Sequence, residues 1–334
     1  MTEPAQRHPR LERVGIIGLG SIGRRHARLL RALLPDVRIQ THRTRLGALQ
    51  DNPEDVEEID RATFYSSRFD LVVISNPSSM HLDTLRDVLK AHLAPIVLME
   101  KPFCVPEEEP AAREIIARHA DVRIVPGNKL RFHPAITGLK AIMAAGALGR
   151  ALECHAHFGT FMPGWHPYED YRQTYASRRE LGGGVLLTSI HEIDLMHHLF
   201  GDGIVHGASV RRLALHETDV EDAAHLLMSL DRCPIANVSL NFFERPADRY
   251  CKVVFERGVW SWRFGQPEVS VTEWHGDTPT TASYPVDPGV DAMYVEMWSR
   301  LLEATFDDFE LESVFASLET IAAARALSEE ATWK

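Results

Sequence analysis

The sequence predicts an α/β protein of two domains, a doubly wound parallel sheet over residues 1–128 and a strand-rich domain over residues 129–334. Three observations predict it. From Arg13 to about Pro126, short β-branched apolar runs alternate with segments whose apolar residues recur at helical spacing, the rhythm of βαβ units. After about residue 130 the alternation stops, and from Gly203 to His275 strand follows strand across tight turns, a pattern that pairs antiparallel. The length, 334 residues, suits two cores at roughly 150 residues each.

RVGIIGLG opens the chain as a strand, and SIGRRHARLLRALLP follows it as a helix. VRIQTH, LVVISN, IVLMEK and VRIVPG are the next strands, with HLDTLRDVLKAHLAP and EEPAAREIIARHA as helices between them. In the second domain a helix, HPAITGLKAIMAAGALG, leads into the strand ALECHAHFGTF; DRCP and ERG are turns between later strands, and ESVFASLETIAAARALSEEA closes as an amphipathic helix. In GGGVLLTSIHEID, residues 182–194, Ser189 and Glu192 have capping-box spacing. A helix is therefore expected to begin there and to run to Phe200, where Gly201 stops it.

A composition of 45% hydrophobic and 25% charged residues is that of an ordinary globular chain. The net charge of −11 repels phosphate backbones, which argues against a nucleic-acid partner. No run reaches the ~18 apolar residues of a membrane span, and the start MTEPAQRHPRLER lacks a signal peptide's apolar stretch. Four cysteines at wide spacing form no C-x-x-C pair. A cytoplasmic protein with reduced thiols is the expectation.

Gly18-Leu19-Gly20-Ser21-Ile22-Gly23 is a G-x-G-x-x-G between a predicted strand and a predicted helix. Glycines there permit the tight turn and the close approach of backbone to a dinucleotide's pyrophosphate, which rests on the helix N-terminus. The alternative is a strand-to-helix turn without a ligand. An acid about 20 residues on would hold the ribose 2′-hydroxyl of NAD. Here the second strand runs instead into Gln40-Thr41-His42-Arg43-Thr44-Arg45. Arg43 and Arg45 stand where a 2′-phosphate would lie, which favours NADP over NAD, and His42 beside them is a further cofactor-binding candidate.

Strand ends at that edge of a parallel sheet bind ligands. They carry Ser75-Asn76-Pro77 with His81, then Glu100-Lys101-Pro102, then Asn128 and Lys129. A lysine there can orient a hydroxyl or polarise a carbonyl, and the other residues serve equally as turns and caps. On the helix expected after Ser189, His191, Asp194 and His198 share a face. A zinc site could use that face, but no further ligand cluster accompanies it. A neutral histidine suits proton transfer to or from a hydroxyl, and His191 is the candidate. The segment Trp165-His166-Pro167-Tyr168-Glu169-Asp170-Tyr171-Arg172 mixes aromatics, which stack on sugar faces, with groups that reach hydroxyls or phosphate.

The glycine loop, Asn76-Pro77 with His81, Glu100-Lys101-Pro102 and GGGVLLTSIHEID, in that order, resemble the Gfo/Idh/MocA oxidoreductases over nearly the whole chain. GSIGRRH, NKLRFHP and WHPYEDYRQTYASRRELGGG resemble the branch found in polysaccharide and nonulosonic or amino-sugar biosynthesis clusters. The resemblance implies a Rossmann domain followed by an α/β domain with a large open, mostly antiparallel sheet, assembled as a homodimer or homotetramer. It implies a nicotinamide lying between Lys101 and the His191 helix, with Lys101 positioning the reacting hydroxyl and the nicotinamide ribose and His191 moving the proton. Trp165, His166, Asp170, Tyr171 and Arg172 become candidate substrate or cofactor contacts, and Lys129, Arg131, Thr188 and Asp194 candidate substrate contacts. Many members carry an aspartate three or four residues before the histidine, where this chain has Thr188 and Leu187.

The implied activity is hydride transfer between NAD(P) and a hydroxyl or keto carbon of a sugar, cyclitol or nucleotide sugar. One alternative keeps NAD tightly bound and oxidises the sugar only transiently, as an epimerase, lyase or glycosidase would. Another is a non-catalytic dinucleotide sensor.

Overall fold

Runs such as LVVI and IVLM have no polar face, so as strands they need a sheet covered on both sides. The computed structural model describes residues 11–43, 56–165, 170–213, 215–286 and 289–330, and it places these runs at the centre of a six-stranded sheet. The strands are β1 (Arg13–Ile17), β2 (Arg38–His42), β3 (Glu57–Glu58), β4 (Leu71–Ile74), β5 (Ile96–Met99) and β6 (Arg123–Pro126). They are parallel throughout and ordered β3-β2-β1-β4-β5-β6, the doubly wound order whose halves diverge between β1 and β4. Every residue of β4 and β5 is buried.

Helices α1 (Ser21–Leu33), α2 (Arg61–Ser66), α3 (His81–Lys90) and α4 (Glu109–Arg118) accompany this sheet. In α1 the apolar positions Ala27, Leu29 and Leu30 are buried along with His26. The two-residue β3 and the short α2 were not expected. Neither is long enough to show a period in the sequence.

The described residues up to Cys104, with Glu108–Gly127 and Tyr294–Leu311, form one compact unit; Val105–Glu107, Asn128–Met293 and the residues from Glu312 onward form another. The late segment Tyr294–Leu311 thus returns to the first unit, which a division into residues 1–128 and 129–334 does not include.

The second unit is built on α5 (Pro134–Ala144), β7 (Ala151–Phe161) and the short α6 (Met162–Trp165) and α7 (Val185–Thr188). Helix α8 (His191–Phe200) is buried along its whole length. Strands β8 (Gly203–Arg211), β9 (Ala223–Leu230), β10 (Cys233–Asn241), β11 (Phe243–Phe255), β12 (Gly258–Arg263), β13 (Glu268–His275) and β14 (Thr278–Pro285) complete an eight-stranded sheet. Its order is β14-β13-β12-β11-β7-β10-β9-β8, and only the β7–β10 pair is parallel. The turns Asp231-Arg232 and Glu256-Arg257 fall where DRCP and ERG place them. Of the eight strands, β14 lay beyond the expected strand region.

The chain closes with α9 (Val290–Leu302), which no sequence signal announced, and α10 (Glu312–Glu330). α10 is not the one-sided amphipathic helix expected. Ser313, Ser317, Thr320 and Ser328 are buried along with Phe315, Leu318 and Ile321. Their hydroxyls are satisfied inside the unit, by Arg131, by the Ser313 carbonyl, by His197 and by the Val210 backbone respectively, so small polar residues are tolerated on a core-facing helix. All four cysteines are buried, and none forms a disulfide. Among the described residues no helix is long and apolar enough to cross a membrane.

Candidate active site

In the first unit the chemistry is carried by backbone. Gly18, just after β1, has φ +92°, and a Cβ there would stand 2.5 Å from the Asn76 backbone nitrogen. A Cβ on Gly23 would stand 2.0 Å from the Gly18 carbonyl oxygen. Gly20 differs, because nothing lies within 4 Å of where its Cβ would be. It precedes α1, whose N-terminus has no side-chain cap and no acid in its first turn. Uncapped amide groups at a helix start, beside open space and with no acid in the helix's first turn, suit an anion. Leu19, Ser21 and Ile22 complete the loop, and the Ser75 hydroxyl donates to the Gly18 carbonyl at 2.8 Å.

Asn76 adds a second observation that fits a ligand here. Its amide donates to Thr84 at 2.8 Å, while its buried Oδ1 has no hydrogen-bond partner among the described residues. A buried acceptor without a partner is costly unless a ligand supplies the donor. The donor set and the glycine cradle therefore fit a dinucleotide.

His81 is structural. Its Nδ1 lies 2.7 Å from the Pro102 carbonyl and its Nε2 2.8 Å from the Asn76 carbonyl, which joins the loop containing Pro77 to the loop after β5. Complete burial pushes its pKa below the usual histidine value, and a neutral ring donates to only one of the two carbonyls. Glu100, expected at the cofactor, is instead engaged inside the unit. It is 4% exposed, its Oε1 pairs with His26 Nε2 at 2.8 Å, and its Oε2 accepts from the Lys101 amide at 3.2 Å. Trp298 donates to His26 Nδ1 at 3.2 Å, so the buried chain Trp298-His26-Glu100 holds the backbone that presents Lys101. The sequence reading missed His26, although it lies three residues after Gly23 in GSIGRRH. Trp298 arrives from α9 with no local signal.

At the end of β2 the structure counts against the 2′-phosphate argument. Arg43 makes a bidentate pair with Glu58, both bonds 2.8 Å. The acid absent from the end of β2 is thus supplied by β3, beside Arg43, and a 2′-phosphate would have to displace it. His42 is nearly buried, and burial together with the nearby Arg61 lowers its pKa. Arg45 lies outside the described residues.

In the second unit the site is built from charged side chains. The face of α8 identified from sequence lies along the segment 129–140, and each polar residue meets a cation. Lys129 Nζ is 2.9 Å from His191 Nε2. Arg131 grips Asp194 with two bonds of 2.8 and 2.5 Å and also donates to Ser313. Lys140 Nζ is 3.3 Å from His198 Nε2. Three cations thus engage the side chains that a zinc ion on this face would need. Arg131 and Asp194 are both fully buried, so they lock the 129–132 turn to α8 rather than touch a substrate.

The capping box does not form. Ser189 ends α7, Ile190 precedes α8, and Glu192 turns away to Arg249, with Nε–Oε1 at 2.7 Å. Burial raises the Glu192 pKa against the opposing pull of Arg249 and Lys129. The three glycines ahead of α7 are set by their surroundings. Gly182 and Gly184 have φ +77° and +106°. A Cβ on Gly183 would meet the Tyr175 carbonyl at 2.3 Å, and one on Gly184 would meet Glu221 at 2.4 Å. Close packing and left-handed backbone require glycine here. Thr188 is buried on α7.

Trp165 packs edge-on to Phe158, and the Arg249 guanidinium lies 4.1 Å over the Phe158 ring. These aromatics therefore adjoin the Glu192–Arg249 pair. Asp170 caps the turn Tyr171–Gln173 and pairs with Arg172 at 2.9 Å, which lowers its pKa. Tyr171 stacks edge-on with His216. His166 lies outside the described residues, and Asn128 is buried before the 129–132 turn. Elsewhere in this unit His157, Glu244 and Asp248 bring ligand atoms within 4.8 Å of one another. Ser239 and Asn241 engage the first two, and Arg263 the third.

Comparison with known proteins agrees with this architecture. A UDP-N-acetylglucosamine 3-dehydrogenase of Acidithiobacillus ferrooxidans is 26% identical over 308 residues, covering 89% of this chain and 87% of that protein. A 2,7-anhydro-N-acetylneuraminate hydratase of Escherichia coli is 24% identical over 199 residues, 56% of this chain and 49% of that protein. The match thus spans only about half the length of the hydratase. The structure of a levoglucosan dehydrogenase in complex with NADH superposes with TM-score 0.79 at 16% identity, covering 95% of this chain and 97% of that one. Residues 12–127 match the model of the oxidoreductase family with an NAD-binding Rossmann fold, and residues 136–261 match the Gfo/Idh/MocA C-terminal domain. The chain belongs to the Gfo/Idh/MocA oxidoreductase family.

Proposed function

We propose that the protein is an NAD(P)-dependent oxidoreductase acting on a hydroxyl or keto carbon of a sugar, cyclitol or nucleotide sugar. The observation that carries this reading is the uncapped N-terminus of α1 behind Gly20, an anion site at the switch point of a doubly wound sheet. Sugar and nucleotide-sugar dehydrogenases among the relatives support the substrate class.

The cofactor supplies the hydride acceptor or donor. The glycine loop and the amide groups of α1 would hold its pyrophosphate, and Asn76 Oδ1 would accept from one of its hydroxyl groups. Lys101, presented by the Glu100–His26 pair, orients the reacting oxygen. His191 Nε2 takes the hydroxyl proton. Arg43 in its pair with Glu58 removes the described ground for preferring NADP over NAD. The exposed Ile204, Leu227 and Ile235 share one face of the second sheet by strand register. An apolar face of this kind supports a homodimer or homotetramer.

A second reading is favoured by the hydratase relative, whose reaction has no net redox outcome. In it the sugar is oxidised, water is added or lost, and the hydride returns. Absorbance at 340 nm during turnover of hexoses, cyclitols and UDP-amino sugars separates the two. Net accumulation of NAD(P)H supports the dehydrogenase. Product formation with only a transient at 340 nm supports the second reading, and no product from any of these classes contradicts both.

A further inference from the structure

We propose that Lys129 is a third catalytic residue beside Lys101 and His191, which binds the substrate oxygen together with His191 and supplies the positive charge that steadies it as its proton leaves. The proposal rests on the oxidoreductase reading and deepens it.

The contact between Lys129 Nζ and His191 Nε2, at 2.9 Å, fixes roles. An ammonium only donates, so Nε2 is the acceptor and the ring's own proton sits on Nδ1. The pair therefore holds one positive charge. His191 is also the first residue of α8, where the helix dipole adds further positive potential. Both place positive potential against Nε2, the atom that would take the hydroxyl proton.

Charged groups on and around α8 do not cancel this arrangement. Glu192 is paired with Arg249 of β11, Asp194 with Arg131, and His198 with Lys140. Asp202 and Glu319 act on His197, near the other end of the helix. Glu192 is also within electrostatic reach of Lys129, which offsets part of the lysine's charge.

A secondary alcohol entering between the two groups would donate its O–H to His191 Nε2 and accept from Lys129 Nζ. As the O–H bond breaks, the proton would form an N–H bond on Nε2, and the oxygen's electron pair would close the carbonyl as the carbinol carbon gives up its hydride, which the oxidised dinucleotide would accept. The oxygen's growing negative charge faces the ammonium. Once the carbonyl has formed, two cations face each other, and their repulsion drives the proton off His191.

The test is the titration of His191, read by NMR of histidine-labelled full-length protein, together with the pH dependence of kcat, in Lys129→Met and Lys129→Arg. In Lys129→Met the His191 midpoint should rise by about one pH unit, the acidic limb of kcat should move with it, and kcat on its plateau should fall about 100-fold, the usual effect of removing one group that stabilises an oxyanion. Lys129→Arg should leave the midpoint near that of the parent. An unmoved midpoint in a folded Lys129→Met protein, shown by an unchanged circular dichroism spectrum, overturns the proposal. A midpoint that rises while plateau kcat stays within twofold of the parent also overturns it. If the parent turns over no sugar, the oxidoreductase reading fails, while the midpoint still decides whether Lys129 sets the charge of His191.

Discussion

The two units build their candidate sites from different materials. In the first, three glycines shape the backbone, and a helix start without a cap supplies the binding groups. In the second, a lysine, two arginines and the polar face of one helix supply them. A backbone site depends on the absence of side chains, so a single added methyl group tests it. A charged side-chain site depends on pairing, so it fails when one partner is removed and the other is left buried.

The largest expected effect is at Gly23. Gly23→Val places carbon against the Gly18 carbonyl, and NADH fluorescence titration should show more than 100-fold weaker binding or an unfolded first unit. Gly20→Ala sharpens the contrast, because nothing in the protein opposes its Cβ. Its melting temperature should match that of the parent while NADH affinity falls about tenfold, the loss of roughly 1.4 kcal/mol of binding. Equal NADH affinity in Gly20→Ala would remove the phosphate from this loop.

Next is the buried pair of the second unit. Arg131→Met leaves Asp194 charged and unpaired in the core, at a cost of about 3–5 kcal/mol. Urea unfolding should show that loss, and a companion Asp194→Leu change should recover most of it. If the single variant were as stable as the parent, the pair would not lock the 129–132 turn to α8.

The smallest effect concerns pH. Burial lowers the His81 pKa from its ordinary 6.5. Below pH 6.5 the unfolded chain takes up a proton that the folded ring refuses, so stability falls as pH drops from 6.5 toward the folded value. The slope is at most about 1.4 kcal/mol per pH unit for one proton. His81→Gln can still donate to one carbonyl, and its melting temperature should fall less steeply between pH 6.5 and 5.5 than that of the parent. His197 is lowered by burial in the same way, so some of the slope should remain. An identical slope in His81→Gln would mean that the ring is protonated in the fold.

The same difference decides what could be read from the sequence. The glycine loop is legible because it is local, with turn, close approach and helix start falling within six residues. β7 was legible to the residue because ALECHAHFGTF is a long β-rich run between clear breaks. The second site was legible only in part. The shared face of His191, Asp194 and His198 follows from helical spacing, but their partners lie 58 to 63 residues earlier, and no local pattern joins them. Ser189 and Glu192 have the spacing of a capping box, yet Arg249 draws Glu192 away, a tertiary contact that overrides the local motif. Arg43 looked like a phosphate ligand because Glu58 stands 15 residues on, on a strand too short to recognise. The need for glycine at 183 and 184 comes from the Tyr175 carbonyl and from Glu221, contacts that no local pattern announces.

The central claim is a division of labour, with the cofactor held by backbone in the first unit and the proton moved by His191 in the second. A His191→Asn variant tests it most directly, with NADH affinity and single-turnover hydride transfer measured on the same sample. The NADH dissociation constant should stay within twofold of the parent while hydride transfer slows by about 100-fold or more, the scale expected for losing a general base. Hydride transfer at the parental rate, or loss of NADH binding in step with the rate, would contradict it.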